Sequence, residues 1–166
     1  MRISAEEKEG TTRSFYERKV ADYMTTEVLS LSPDATLREA GSLFAHHDFN
    51  LMPVLEEGSL IGVFSKFDFM RAFAFTNEHP LPDYLSLMKT PVRMLMRDEL
   101  LTVTPDMPLT RVLQKMVDTK TRSFPVVSEG RLVGVISRED IMRALADSTA
   151  ATTEFFCREV QSRLSV

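Results

Sequence analysis

The sequence predicts an α+β fold made of two copies of one small β-α-β-β-α unit, and three observations carry this prediction. Residues 20–73 align with residues 92–145 without a gap, and 19 of the 54 aligned pairs are identical. Within each copy, short apolar runs typical of strands alternate with stretches of helical apolar spacing. Turn and capping residues recur at the same places in both copies. Because only two copies exist, an extended solenoid is excluded and a pair that closes on itself is expected.

Each unit begins with a predicted strand followed by a helix. The strands are predicted at 27–31 and 99–103, where branched apolar residues alternate with other residue types. The helix of the first copy is predicted over 32–47, because its apolar residues recur at helical spacing. Thr36 and Glu39 fit a capping box at its start.

Each unit continues with a hairpin and a second helix. The hairpins are predicted at 51–64 and 124–136, with the first turn at Glu57 and Gly58. Ser65 and Ser137 then open the second helices. The pattern therefore predicts the same five elements in each copy.

The repeat divides the chain into five segments. We expect an N-terminal extension at 1–19, a first repeat at 20–75, a linker at 76–90 with one helical turn, a second repeat at 91–147 and a tail at 148–166. Both terminal segments are expected to be helical.

Composition excludes several classes of function. The net charge of −4 argues against a general nucleic-acid binder, which needs a basic face. The longest apolar run, AFAF at 72–75, is far shorter than a membrane span, and the acidic N-terminus lacks a secretory signal. Cys157 cannot form an internal disulfide. We therefore expect a cytoplasmic protein without membrane or nucleic-acid partners.

The phrase GVFSKFD (62–68) returns as GVISRED (134–140). A Ser-x-x-Asp turn can simply cap a helix, since the Ser side chain and an early acid both suit its N-terminus. The Gly within each preceding strand, however, indicates close approach by another backbone or by a ligand. A helix N-terminus attracts phosphate, and a carboxylate can accept hydrogen bonds from both ribose hydroxyls. Each turn therefore offers either a cap alone or a nucleotide site.

The chain resembles the CBS-domain family, and its pair of copies resembles a Bateman module. The resemblance covers about 20–145 and is carried by DYMTTEV (22–28), the Pro-Val of LMPVL and SFPVV, and the closing Gly-x-x-Ser-x-x-Asp. It implies that the copies pack about a pseudo-two-fold axis and hold adenosine ligands in two clefts. The expected ligands are AMP, ADP or ATP, with NAD and S-adenosylmethionine as alternatives.

The resemblance also implies which residues touch the ligand. Ribose binding falls to the two acids of the motif, and ribose or phosphate contacts to its serines: Asp68, Asp140, Ser65 and Ser137. Adenine is walled by one valine of each copy and by backbone near the first strand: Val63, Val135, Thr26 and Val28. Positions three and two before the hairpin proline face the ligand: Asn50, Leu51, Arg122 and Ser123.

The two copies differ where they would meet phosphate. Arg122 can pair with a phosphate through its planar guanidinium, whereas Asn50 offers a neutral hydrogen bond. Lys66 and Arg138 are further phosphate candidates, although each basic residue can equally be a solvated surface charge. We therefore expect the two sites to differ in affinity.

The leading hypothesis is a stand-alone regulatory module, not an enzyme, that binds an adenine nucleotide and signals to a separate protein. The alternative is a ligand-free structural module whose Ser-x-x-Asp turns are only helix caps. The apolar face of SKFDFMRAFAF is too wide for one partner element, so Phe67 predicts a homodimer contact. No catalytic motif is present, and His46 with His47 predicts a solvated helix end in preference to a metal site.

Overall fold

The computed structural model describes residues 14–74 and 83–149, so the predictions for the remaining terminal and linker residues, including Cys157, fall outside it. The helices and strands of the two copies follow one another in matching order: α1 (Leu37–His46), β1 (Leu51–Glu56), β2 (Ser59–Ser65), α2 (Lys66–Ala72), α3 (Tyr84–Leu87), α4 (Leu109–Thr119), β3 (Ser123–Ser128), β4 (Arg131–Ser137) and α5 (138–149). Three short 3₁₀ helices precede the repeats or open them: Phe15–Glu17, Val20–Asp22 and Val92–Met94. The predicted α+β class is confirmed.

Two antiparallel hairpins form the sheets. β1 pairs with β2 and β3 pairs with β4, in equivalent registers. The first hairpin turns at Glu57 and Gly58, which have φ angles of 49° and 80°. Positive φ at both central residues is the geometry of a type I′ turn, whose twist suits a tight hairpin. The predicted hairpins are therefore confirmed.

The strands predicted at 27–31 and 99–103 are wrong in length. Each is reduced to one parallel bridge, Leu31 with Val54 in the first copy and Val103 with Val126 in the second. Leu31 N–H donates to the Pro53 carbonyl oxygen, and Leu55 N–H donates to the Leu31 carbonyl oxygen. In a parallel ladder the next bond toward residue 29 would come from the N–H of residue 53, which is a proline, and the second copy has Pro125 at the same place. The ladder therefore ends after one rung.

Helix α1 begins where the capping box predicts. Glu39 N–H donates to Thr36 Oγ1 at 3.3 Å, and Thr36 N–H donates to Glu39 Oε2 at 2.7 Å. The helix is shorter than the predicted 32–47, because residues 32–36 form a turn and the cap instead of helix. In the linker, α3 supplies the predicted helical turn.

Each copy completes its core with a segment from the other copy. The first core, around Leu37, Met52 and Phe64, includes Val92 from the start of the second copy. The second core, around the side chains that correspond to these, includes Val20 from the start of the first copy. Each fully buried side chain of this size contributes roughly 1.5–3 kcal/mol. The two copies are consequently interdependent.

The segments that open the two copies, residues 20–29 and 92–101, are called the exchanged segments, and they cross the hairpins at the glycines of the repeated phrase. A Cβ on Gly62 would lie 2.9 Å from the Arg97 carbonyl oxygen, and one on Gly134 would lie 2.8 Å from the Thr25 carbonyl oxygen. Beside each glycine a backbone pair forms: Val63 with Arg97 and Val135 with Thr25, through mutual N–H···O bonds of 2.9 Å. The close approach predicted at these glycines is therefore made by another backbone.

Candidate functional site

The two Ser-x-x-Asp turns are complete capping boxes at the starts of α2 and α5. Asp68 N–H donates to Ser65 Oγ at 3.1 Å, while the N–H and hydroxyl of Ser65 donate to Asp68 Oδ2 at 3.0 and 2.5 Å. Asp140 N–H donates to Ser137 Oγ at 3.3 Å, and the N–H and hydroxyl of Ser137 both donate to Asp140 Oδ2 at 2.8 Å. Both turns therefore stabilise a helix start, whatever else they do.

The burial of these two carboxylates separates them from an ordinary cap. Asp68 is 1% exposed and Asp140 is 6% exposed. Glu39 makes the same kind of box on the protein surface, where hydrogen bonds from the Thr36 N–H and hydroxyl lower its pKa. A cap does not require a buried acid, and burying a charge costs free energy unless it is well paired. The buried carboxylates of Asp68 and Asp140 are thus suited to a role beyond capping.

Asp68 lies in the larger of two clefts between the copies, which we call the Asp68 cleft. Its volume is about 590 Å³, within the range of ligand pockets. The lining combines the start of α2 with the exchanged segment and with the α4–β3 connection: Asn50, Leu51, Ser65, Lys66, Phe67, Asp68, Met70, Arg71, Arg97, Thr119, Lys120, Thr121, Arg122 and Ser123.

Asp140 lies in the second cleft, which we call the Asp140 cleft, with a volume of about 310 Å³. Its lining combines the start of α5 and β4 with the first exchanged segment and the α1–β1 connection: Thr25, Glu27, Val28, Leu29, Asp48, Phe49, Asn50, Leu51, Ser123, Val135, Ser137, Glu139 and Asp140. Asn50, Leu51 and Ser123 line both clefts, so the two sites are neighbours.

Most of the residues predicted to touch a ligand line one cleft or both. Three do not. Val63 is buried within the hairpin, Thr26 is exposed while its neighbour Thr25 lines the cleft, and Arg138 instead donates from Nη2 to the Lys120 carbonyl oxygen at 3.2 Å.

Sequence reasoning missed the charged residues that the other copy contributes to each cleft. Arg97 donates from Nε to Asp68 Oδ2 at 3.2 Å, although 29 residues separate them. Lys120 lies at the end of α4, and Glu27 lies in the short first strand that scarcely forms. The alignment of the two copies shows a charge difference that could have identified them: Arg97 aligns with Thr25, and Lys120 aligns with Asp48.

The ion pairs of the two buried acids differ. In the Asp68 cleft, Arg97 pairs with Oδ2, and Arg71 Nη2 lies 3.6 Å from Oδ1, beyond hydrogen-bond distance. In the Asp140 cleft, Arg143 Nη2 donates to Oδ1 at 2.6 Å. Asp68 Oδ1 therefore lies beyond hydrogen-bond distance of Arg71, while Asp140 Oδ1 accepts one hydrogen bond and keeps a second lone pair.

The histidines of the first copy lie outside both linings. His46 Nδ1 is 2.7 Å from the Ser42 carbonyl oxygen in the last turn of α1, and His47 stacks on Phe49. Among the described residues, no group of three or more potential ligands is placed to hold a metal ion. Within the same part of the chain, every helix is too short or too polar to cross a membrane.

The fold and the two clefts define a class of protein. The model of the CBS domain family matches residues 20–75 and 92–147. The chain therefore belongs to the CBS-domain family and carries the domain twice, as a CBS pair. The resemblance drawn from the sequence is confirmed.

Two curated relatives place this pair in different contexts. The CBS domain-containing protein YhcV of Bacillus subtilis is 33% identical over 123 residues, which cover 74% of this chain and 81% of YhcV. The A-adding tRNA nucleotidyltransferase of Geobacter sulfurreducens is 31% identical over 137 residues, covering 82% of this chain and 14% of that enzyme. The chain thus spans most of one relative and a small part of the other.

Two solved structures share the fold. CBSX2, solved in complex with AMP, is 26% identical with a TM-score of 0.64, and the match covers 76% of this chain and 94% of that one. The CBS domain pair of MJ0100, solved with 5′-methylthioadenosine and S-adenosyl-L-methionine, is 24% identical with a TM-score of 0.65, covering 78% and 96%. Both comparisons support the fold of a CBS pair for this chain.

Proposed function

We infer that this CBS pair binds an adenine nucleotide, AMP, ADP or ATP, and passes the signal to a separate protein. NAD and S-adenosylmethionine remain alternative ligands with the same adenosine part. One observation carries the inference: two buried carboxylates stand at helix starts inside concave clefts between the copies. A carboxylate accepts the hydrogen bonds of ribose hydroxyls, and the adjacent helix N-terminus favours phosphate.

The exchanged segments connect the ligand clefts to the packing between the two copies, because the same residues belong to both. Arg97 belongs to the wall of the Asp68 cleft and also forms the backbone pair with Val63 that joins the copies. Thr25 has the same double position in the Asp140 cleft. A ligand that binds one arrangement of this junction better than another shifts the equilibrium between them by its difference in affinity. The module acts in this way without catalysis, as a cytoplasmic sensor of nucleotide levels.

A structural module without a ligand is the second candidate. Its supporting observation is that both capping boxes are complete without any outside partner. On this hypothesis the two acids only stabilise α2 and α5.

Asp68→Ala and Asp140→Ala distinguish the two candidates, with Glu39→Ala as a matched control. All three changes remove the acid of a capping box, but only the first two remove an acid from a cleft, and their cost in stability is larger because buried donors lose their acceptor. Thermal unfolding is measured with AMP, ADP, ATP, NAD, S-adenosylmethionine and GTP. A ligand at about 100 times its dissociation constant adds roughly 2.7 kcal/mol, or roughly 5–10 °C for a chain of this size.

We expect a shift with an adenine ligand, none with GTP, and loss of the shift only in the cleft variants. An unshifted midpoint with every adenine ligand would favour the structural module. Conversion of the ligand into a product, measured by chromatography, would contradict a purely regulatory role.

We also infer that the chain forms a homodimer through the exposed faces of its second helices, α2 and α5. Phe67 is 66% exposed, so the wide apolar face predicted for α2 is not explained by deeper burial within the chain. Met70 and Met142, which occupy equivalent positions in α2 and α5, are exposed as well. A second copy with the same pseudo-symmetry can cover both positions at once.

A further inference from the structure

The two clefts carry opposite charge. The Asp68 cleft has five cationic lining side chains against one carboxylate: Lys66, Arg71, Arg97, Lys120 and Arg122 against Asp68. The Asp140 cleft has four carboxylates and, among the described residues that line it, no cationic side chain: Glu27, Asp48, Glu139 and Asp140. Two sites of common ancestry thus present opposite electrostatic environments to a ligand.

The difference arises at four positions where the copies diverge. In each case the residue in the Asp68 cleft is more positive than its equivalent in the Asp140 cleft: Arg97 against Thr25, Lys120 against Asp48, Arg122 against Asn50 and Phe67 against Glu139. Unrelated surface charges would change in either direction. Four changes in one direction indicate different ligands.

The basic residues that the copies share are also used differently. Arg143 donates to Asp140 Oδ1 at 2.6 Å and to the Tyr23 carbonyl oxygen at 3.2 Å. Its guanidinium is therefore paired with the acid and with the backbone of the exchanged segment. Its equivalent Arg71 lines the Asp68 cleft and lies 3.6 Å from the acid. The shared arginine therefore adds positive charge to one cleft and is occupied in the other.

Donors remain available in the Asp68 cleft. Arg97 uses Nε on Asp68, and its terminal nitrogens carry further N–H groups in a fork that matches phosphate. Within the described part of the chain, neither Lys120 nor Arg122 forms an ion pair, and Lys66 lies at the limit of one with Asp48, at 3.9 Å. A phosphate group would meet three or four unneutralised cations there.

We propose that phosphorylated nucleotides bind in the Asp68 cleft only, so that each chain takes one, and that the Asp140 cleft rejects them. The proposal rests on the inferred adenosine-binding function and adds which cleft takes the phosphate. A nucleotide phosphate in the Asp140 cleft would face four carboxylates, of which Asp140 is paired with Arg143 and Asp48 lies 3.9 Å from Lys66. All of these acids except Asp140 are exposed, so the repulsion acts through water and is weakened by salt. An adenosine ligand without phosphate meets no such repulsion.

Isothermal titration calorimetry of the full chain with ATP, AMP and adenosine tests the proposal. We expect one ATP or AMP per chain, with an affinity for ATP that falls as salt is raised. The variant Arg97→Thr/Arg122→Asn, which installs the residues of the opposite copy at exposed positions, should weaken AMP binding about tenfold or more. Thr25→Arg/Glu139→Gln, the matched change in the Asp140 cleft, should leave the first site intact and create a second one.

The thermal unfolding midpoint of each double variant, measured without ligand and compared with that of the wild type, shows whether the variant folds. Two AMP per wild-type chain, or AMP affinity unaffected by Arg97→Thr/Arg122→Asn, would overturn the proposal. Adenosine binding without AMP or ATP binding would overturn it and leave the adenosine-binding function standing. Failure of all three ligands, and of NAD and S-adenosylmethionine in the thermal-unfolding panel, would remove that function too.

Discussion

At the level of single residues, Gly62 and Gly134 hold the two copies together by having no side chain. A Cβ on Gly62 would lie 2.7 Å from Met96 Sδ and 2.9 Å from the Arg97 carbonyl oxygen. The thioether can move, but the carbonyl is held by a hydrogen bond from Val63 N–H. We expect Gly62→Ala to lower the free energy of unfolding by about 1–3 kcal/mol, as overpacking does. Urea unfolding measures the change.

Ser59→Ala is the control, because this exposed residue lies in the same strand β2, away from the crossing. It should change stability by less than about 0.5 kcal/mol. Gly134→Ala should behave like Gly62→Ala, since its Cβ would meet the Thr25 carbonyl oxygen. A Gly62→Ala protein as stable as the control would show that the exchanged segment yields easily.

Residues whose role is local could be predicted from the sequence, and residues whose role depends on the crossing could not. Asp68 stands three residues after Ser65, its partner in the capping box, so spacing alone identifies the turn. The sequence predicts that a backbone or a ligand approaches the preceding glycine, Gly62, closely. The fold shows that the neighbour is the Arg97 backbone. Arg97 reaches Asp68 because the second copy begins on the hairpin of the first. No periodicity within either copy contains that information.

At the level of elements, helix α4 ends on a residue in a conformation that favours glycine. Its C-cap Lys120 has φ 55° and ψ 19°, in the left-handed region. This conformation costs a non-glycine residue about 1–2 kcal/mol, while glycine costs about 0.5–1 kcal/mol in chain entropy. Lys120→Gly should therefore stabilise the fold by about 0.5–1 kcal/mol, or roughly 1–4 °C, and weaken ATP binding through the lost charge.

Glu129→Gly provides the matched control for Lys120→Gly. Glu129 has φ 50° in the hairpin turn between β3 and β4 and lines neither cleft. Its replacement should raise the unfolding midpoint by a similar amount without changing ATP affinity. Equal ATP affinity in wild type and Lys120→Gly would argue against a role for Lys120 in phosphate binding.

Helices and hairpins whose cause lies in neighbouring residues could be predicted from the sequence, whereas pairing with a distant strand could not. The hairpins follow from a Glu-Gly turn flanked by apolar strands, and α1 follows from its capping box. The strand predicted at 27–31 has the right composition, but only Leu31 pairs, because the next bond toward residue 29 would need an N–H from Pro53. A ladder depends on the partner strand, so composition overestimates its length.

At the level of the whole molecule, the inferred homodimer can be tested without disturbing either cleft. Phe67 is the obvious residue to change, but it also lines the Asp68 cleft, so Phe67→Glu would alter ligand binding as well. Met142, 65% exposed on α5, lines neither cleft. It is the equivalent of Met70 on α2, and the pair provides apolar contacts related by the repeat.

Met142→Glu should therefore weaken the dimer while leaving nucleotide binding to the separate chain intact. A charge buried in an apolar contact between copies loses its hydration without gaining a partner, which costs several kcal/mol across a two-fold interface that contains it twice. Light scattering coupled to size-exclusion chromatography measures the mass over a range of concentrations. Met94→Glu is the control, since Met94 is exposed to a similar extent, 71%, and lies in the 3₁₀ helix Val92–Met94, outside α2 and α5. A wild-type monomer at every concentration would contradict the dimer, and a Met142→Glu dimer as stable as the control would move the interface elsewhere on the surface. If Met142→Glu gives a monomer that still binds one AMP, the ligand site is complete within one chain and does not require the dimer.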